Sequence, residues 1–195
     1  MALNPRAVSW RTEVDTLTVL LSQMQFTDRD RQALETDAAF QHWRDLTLEL
    51  RRREGTIYLI GNGASASMAS HFAADLAKNG HLHTQVFSDL SLLTAISNDV
   101  SYEDIFVIPL QRRGREGDML ISISSSGCSP NILKATRLAR ELDMTIVTLT
   151  GFSPDNPLRR IGDLNAYVAG TSYGHTETSH AAILHHWMDL VEVKS

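Results

Sequence analysis

The spacing of apolar residues changes once along the chain, near position 55, and that change predicts its organisation. Before it, Val14, Leu17, Leu20, Leu21 and Met24 recur at intervals of three and four, the stripe of an amphipathic helix. A polar break follows, with Thr27 and Asp28 as cap candidates, and Leu34, Phe40, Trp43, Leu46 and Leu50 mark a second helix. No strand pattern precedes either segment. Residues 9–53 are therefore expected to form a helical hairpin, packed on its own domain or on a neighbouring subunit.

After Gly55 the apolar residues come in short unbroken runs. Strands are predicted at residues 56–60, 84–87, 118–123, 144–149 and 165–169. Helices are predicted at 65–78, ended by Asn79-Gly80, at 90–96, at 130–142 with Pro130 in the first turn, and at 177–193. Alternating strands and helices imply right-handed crossovers. The expected fold is an α/β three-layer sandwich: a parallel five-stranded sheet, helices on both faces, and the helical hairpin in front. Residues 1–54 are expected to be a helical arm and residues 55–195 the α/β unit, together acting as one domain. Ligands of such sheets sit at the carboxyl ends of the strands.

Composition narrows the function. A net charge of −5 gives no electrostatic reason to expect a nucleic-acid partner. No run of about 18 apolar residues is present, and the first fifteen residues lack the apolar core of a signal peptide. The single cysteine, Cys128, excludes an intramolecular disulfide, so a reducing, cytoplasmic setting is expected. The arginines at 51–53, 112, 113 and 115 are expected on a solvated face.

Two strand-to-helix loops carry the chemistry. In Gly61-Asn62-Gly63-Ala64-Ser65, glycines let backbone approach a ligand, and the following helix offers free N–H groups. The loop matches neither G-x-G-x-x-G nor the P-loop, so no nucleotide cofactor is expected. A plain strand-to-helix turn explains this loop equally well. The second loop, residues 122–130, is more specific. Ser124, Ser125, Ser126 and Ser129 place four hydroxyls at a helix start, where hydroxyls and N–H groups can surround a phosphate without a fixed cation. A turn alone needs one or two such residues.

The order of motifs carries a resemblance. Gly-Asn-Gly-x-Ser at 61–65, His-Phe-Ala-x-x-Leu at 71–76, Ser-Asn-Asp at 97–99, Arg-Glu-Gly-Asp at 115–118, Ile-Ser-x-Ser-Gly-x-Ser at 123–129 and Thr-Leu-Thr-Gly at 148–151 follow one another. From about residue 55 onward the chain resembles sugar isomerase (SIS) domains of the phosphoheptose isomerase type. The resemblance implies substrate contacts from Asn62, Gly63, Ala64 and Ser65, sugar hydroxyls held by Asn98 and Asp99, and phosphate held by Ser124, Ser125, Ser126 and Ser129. It also implies a homotetramer with active sites at subunit boundaries.

The same resemblance implies a divalent metal, typically zinc, on His71, Asp75, Glu177 and His185, with Asp75 as base, His185 as its acid–base partner and Glu177 also at the substrate. His71 and Asp75 are four apart and share a helix face. Glu177 and His185 are eight apart and are expected to converge if Glu177 opens its helix. Asp75 and Glu177 stand where the better-known members carry Glu and Gln. The paired change favours a cation, repels an unscreened phosphosugar, and leaves the particular sugar open. The implied reaction interconverts sedoheptulose 7-phosphate and D-glycero-D-manno-heptose 7-phosphate through an enediol. The alternatives are isomerisation of another phosphosugar, or a non-catalytic SIS protein that binds phosphosugars or acts in replication control. Of the other histidines, His180 is a candidate for bonding substrate or supporting a ligand, and His81 and His83 are expected on a solvated loop. Cys128 is expected to point away from the ligand.

Overall fold

The computed structural model describes residues 9–193. All five predicted parallel strands form: β3 (Thr56–Gly61), β4 (His83–Gln85), β5 (Met119–Ser124), β6 (Thr145–Thr150) and β7 (Leu164–Tyr167). They lie side by side in the order β7-β6-β5-β3-β4, every neighbouring pair parallel. Alternate residues build two cores. Ile57, Leu59, Met119, Ile121, Val147 and Leu149 face one side. Tyr58, Ile60, Leu120 and Ile146 face the other. The first core is closed by α2 (Thr36–Arg52), α3 (Ala64–Lys78) and α7 (Tyr173–Val191). The second is closed by α4 (Leu90–Asp99), α5 (Val107–Arg113) and α6 (Pro130–Glu141).

The N-terminal region departs from the expected hairpin. Between α1 (Trp10–Ser22) and α2 the chain forms two short strands, β1 (Gln25–Asp28) and β2 (Ala33–Leu34). β1 runs antiparallel along β7, with Gln25 opposite Tyr167 and Asp28 opposite Leu164, so the sheet has seven strands and is mixed. Asp28 caps a hairpin turn rather than a helix: its Oδ1 accepts from Gln32 N at 2.8 Å, and Arg31 takes φ +64°. The helix cap is Glu35, whose carboxylate accepts from Asp37 N and Ala38 N. The strands are two and four residues long, too short for their period to stand out in sequence.

Both N-terminal helices lean on α7. Trp43 of α2 stacks on Trp187 of α7, centroids 4.3 Å apart, and Trp187 Nε1 donates to Thr47 Oγ1 at 3.1 Å. α1 buries no residue fully, and leaves Trp10 and Val19 largely exposed.

Asn165 fastens the added strand. Its Oδ1 accepts from Thr148 Oγ1 at 2.7 Å and Gly162 N at 3.1 Å, while Nδ2 donates to the carbonyls of Thr27, Asp28 and Gly162. Asn165→Leu leaves several of these buried groups unpaired at about 1–3 kcal/mol each. We expect it to lower unfolding free energy by about 3 kcal/mol or more in urea denaturation.

Candidate active site

The site follows from two adjacent strands that end together. Gly61 at the end of β3 pairs with Ile123 near the end of β5, which places the loops after them side by side. A Cβ on Gly61 would stand 2.6 Å from the Ser65 backbone, so only glycine lets β3 turn directly into α3. Gly63, at φ +56° and ψ −125°, occupies backbone space open to glycine alone and is the N-cap of α3, with no side-chain cap bond. Ser129 is the N-cap of α6 and also makes no side-chain cap bond. Two helix starts therefore converge, although Pro130 has no N–H to offer and Ile132 N is already taken by Asn131 Oδ1.

A pocket of about 130 Å³ lies between them. Asn62 and Ser65 line it from the first loop, Ser124, Ser125, Ser126 and Ser129 from the second. Tyr173 and Glu177 of α7 form the opposite wall. Among the described residues no Lys, Arg or His lines this pocket, so an anion there would have to be held by hydroxyls, N–H groups and helix starts. Ser124 Oγ accepts from Gly127 N and Ser126 Oγ from Cys128 N, which shapes the loop. The Ser125 hydroxyl is buried and has no partner among the described residues. A buried hydroxyl left unpaired costs about 1–3 kcal/mol, so this one is set for something that enters the pocket.

Asn62 is held by contacts that the sequence did not signal. Its amide pairs reciprocally with that of Asn131, at 3.0 and 2.8 Å, and its Oδ1 also accepts from Tyr102 OH at 3.2 Å. Asn131, in the first turn of α6, is almost fully buried and ties one loop to the other. Nothing in its spacing distinguishes it from an ordinary residue after Ser-Pro.

Other expected residues lie elsewhere. Gly63 and Ala64 are exposed at the start of α3. Asn98 and Asp99 are exposed at the end of α4 and bond each other, outside the pocket. Cys128 is exposed and does not line it. His81 is exposed in a loop, whereas His83 is exposed on strand β4.

His71, Asp75 and His185 form a group of their own. His71 Nε2 stands 3.4 Å from Asp75 Oδ2, and its ring is 5.6 Å from that of His185. All three lie along the contact of α3 and α7, with Phe72 buried against both imidazoles. Ten residues of α3 separate Ser65 from Asp75, about 15 Å along the axis.

Glu177 does not open its helix. α7 begins four residues earlier, with Ser172 accepting from His175 N, so Glu177 stays at the serine pocket. His185 is eight residues on, about 12 Å along the axis. The four residues of the implied metal set therefore do not converge within one chain. Among the described residues, no three His, Cys, Asp or Glu side chains are grouped to hold an ion. His180 is not at the ligand: it is fully buried, and its Nε2–H donates to the Thr150 carbonyl at 3.1 Å, anchoring α7 to the end of β6. His175 instead meets Glu13 of α1 at 2.6 Å.

A parallel α/β sheet whose serine loop and glycine loop meet at the strand ends defines a SIS-type phosphosugar-binding domain. The SIS domain family matches residues 24–151 of the chain. The phosphoheptose isomerase of Helicobacter pylori (strain ATCC 700392 / 26695) is 35% identical over 153 residues, covering 75% of this chain and 79% of that protein. The structure of phosphoheptose isomerase from Neisseria gonorrhoeae matches with a TM-score of 0.75 at 31% identity, over 80% of this chain and 86% of that one. A phosphoheptose isomerase structure from Francisella tularensis gives 0.80 over 96% of this chain and all of that one, at 21% identity, and so speaks for the fold. The chain belongs to the SIS domain family and, within it, to the phosphoheptose isomerases. No helix among the described residues is long and apolar enough to cross a membrane.

Burial pushes the His180 pKa down to about 4, with the Thr150 carbonyl opposing in part. The folded state therefore binds fewer protons here than the unfolded state between the ordinary value near 6.5 and about 4. The stabilisation is full above 6.5 and is lost as pH falls toward 4, about 3 kcal/mol in all. We expect melting temperature to drop over this window, and His180→Gln, which keeps a donor for Thr150, to flatten that part of the profile.

Proposed function

We propose that this protein is an aldose–ketose isomerase that converts sedoheptulose 7-phosphate to D-glycero-D-manno-heptose 7-phosphate through an enediol. The observation that carries the reading is the serine pocket, with an unpartnered buried Ser125 hydroxyl between two uncapped helix starts. In this reading the phosphate sits on Ser124, Ser125, Ser126 and Ser129, and the sugar extends past Asn62, Ser65 and Glu177. Asp75 removes a proton from C1 of the ketose. His185 moves a proton between O1 and O2, and the proton returns to C2.

We place the reaction at a boundary between copies of the chain. Asp75 and the serine pocket of one copy are separated by about 15 Å along α3. The six carbon–carbon bonds of a heptose, about 1.5 Å each and zigzagged, fall short of that. A second copy supplies the pair, and the exposed Trp10, Val14 and Val19 of α1 provide apolar surface for assembly. A homotetramer in the cytoplasm is the assembly proposed.

The implied zinc set, His71, Asp75, Glu177 and His185, does not fit an ion within one chain, so no step is routed through a metal. Metal analysis of the purified oligomer, with and without His71→Ala, decides whether a second copy completes that set.

The test of function is an NMR assay with sedoheptulose 7-phosphate in deuterated water. The expected product is heptose 7-phosphate carrying deuterium at C2. Ser126→Ala is expected to raise KM about five- to tenfold, the loss of one charge-assisted hydrogen bond. Asp75→Asn is expected to cut kcat at least about a hundredfold with KM little changed. Co-assembling these two variants creates sites of wild-type KM if sites are shared, up to about a quarter of sites for random assembly in a symmetric oligomer, and none if they are not. Absence of product and of exchange, with phosphosugar binding retained, identifies a different phosphosugar or a binding protein.

A further inference from the structure

A second concave site lies away from the serine pocket, where the hairpin turn after β1 meets the loop between β6 and β7. Its volume is about 180 Å³, and Thr27, Arg31, Pro154, Asp155, Arg159 and Arg160 line it. Three guanidiniums face one carboxylate there. Asp155 is 86% exposed and lies 3.4 Å from Arg160, so it offsets one of the three charges at most.

Arg159 carries most of the argument. Its guanidinium lies 4.3 Å over the ring of Tyr167, and it donates to two neutral acceptors, Gln25 Oε1 at 2.9 Å and the Pro154 carbonyl at 3.2 Å. Among the described residues no carboxylate stands within ion-pair distance of it. Burial holds its pKa below the ordinary arginine value, with Tyr167 and Asp155 opposing in part. The Thr27 hydroxyl, on β1 in the wall of the same cavity, is buried and also has no partner. Arg159, without a carboxylate in ion-pair contact, and the exposed Arg31 and Arg160 thus face one space.

We propose that this cavity binds a phosphoryl dianion, as inorganic phosphate or a phosphomonoester, at a site separate from the serine pocket. A dianion matches the excess of two positive charges, and the planar forks of arginine suit phosphate oxygens. The position has a consequence for the serine loop. Asn156 and Leu158 belong to the segment that forms the cavity. Leu158 N donates to the Gly127 carbonyl at 3.1 Å, and the Asn156 side chain fills the space where a Cβ on Gly127 would lie. Asn156 Oδ1 in turn accepts from Arg159 N at 3.0 Å. An anion on Arg159 therefore orders the segment that braces the serine loop. The proposal stands whether or not the protein is an isomerase.

The test is a titration of the intact, isotopically labelled protein with inorganic phosphate, read by amide NMR at ionic strength held constant with chloride. Two sets of amides are expected to shift with separate saturation curves, one in the serine loop and one covering residues 27–31 and 159–160. The double variant Arg31→Gln with Arg160→Gln, both exposed, is expected to weaken the second curve about tenfold and leave the first in place. Ser126→Ala is expected to do the reverse. Arg159→Gln, if it folds, is expected to abolish the second curve. Unmoved amides at 27–31 and 159–160, equal shifts in chloride alone, or a second curve unchanged in the double variant would each overturn the proposal.

Discussion

The register of β3 against β5 is the constraint on which the rest of the site depends. Because Gly61 pairs with Ile123, both strands release their chains at the same level of the sheet, and α3 and α6 begin next to each other. Neither N-cap residue bonds its helix through its side chain, and the positive ends of two helix dipoles address one volume. Glycine at 61 and 63 and serines through the second loop keep that volume open, and the Asn62–Asn131 amide pair holds the loops at fixed separation. The serine pocket is thus a property of the sheet edge, and among the described residues no cationic side chain lies in its wall.

α7 is the element that joins this edge to the rest of the molecule. Its first turns form a wall of the pocket, His180 bonds the end of β6, and Trp187 stacks on α2. It runs beside α3, so Ser65 and Glu177 meet near the serine pocket while His71 and His185 meet farther along the same two helices. The serine pocket and the His71–Asp75–His185 group are thus laid out in sequence along one seam. If both serve one small substrate, as proposed, that separation is the physical case for sites built between copies.

Electrostatics sets this chain apart from the pattern it resembles. Glu177 puts a carboxylate opposite the serine hydroxyls, where the better-known members carry a neutral amide. A carboxylate can accept from hydroxyls and repels an anion, so in the proposed function it would favour a substrate whose phosphate stays on the serine side of the pocket. Asp75 is one methylene shorter than Glu and lies beside His71, its Oδ2 3.4 Å from Nε2.

Much of this was legible in the residues themselves. The runs from Thr56 to Tyr167 marked all five parallel strands, because buried strands are dense in β-branched and apolar residues whatever surrounds them. Gly61-Asn62-Gly63 and the serines of 124–129 announced the loops, since backbone geometry and hydroxyl chemistry are local. Tertiary structure decided the rest. β1 and β2 exist because the edge of β7 needed hydrogen-bond partners, a demand that no pattern within residues 25–34 expresses. The start of α7 at Tyr173 was set by the Ser172 cap, and it kept Glu177 and His185 apart although their spacing permitted convergence. Asn131 and His180 owe their contacts to burial against residues distant in the chain, so their chemistry became readable only when packing removed the water around them.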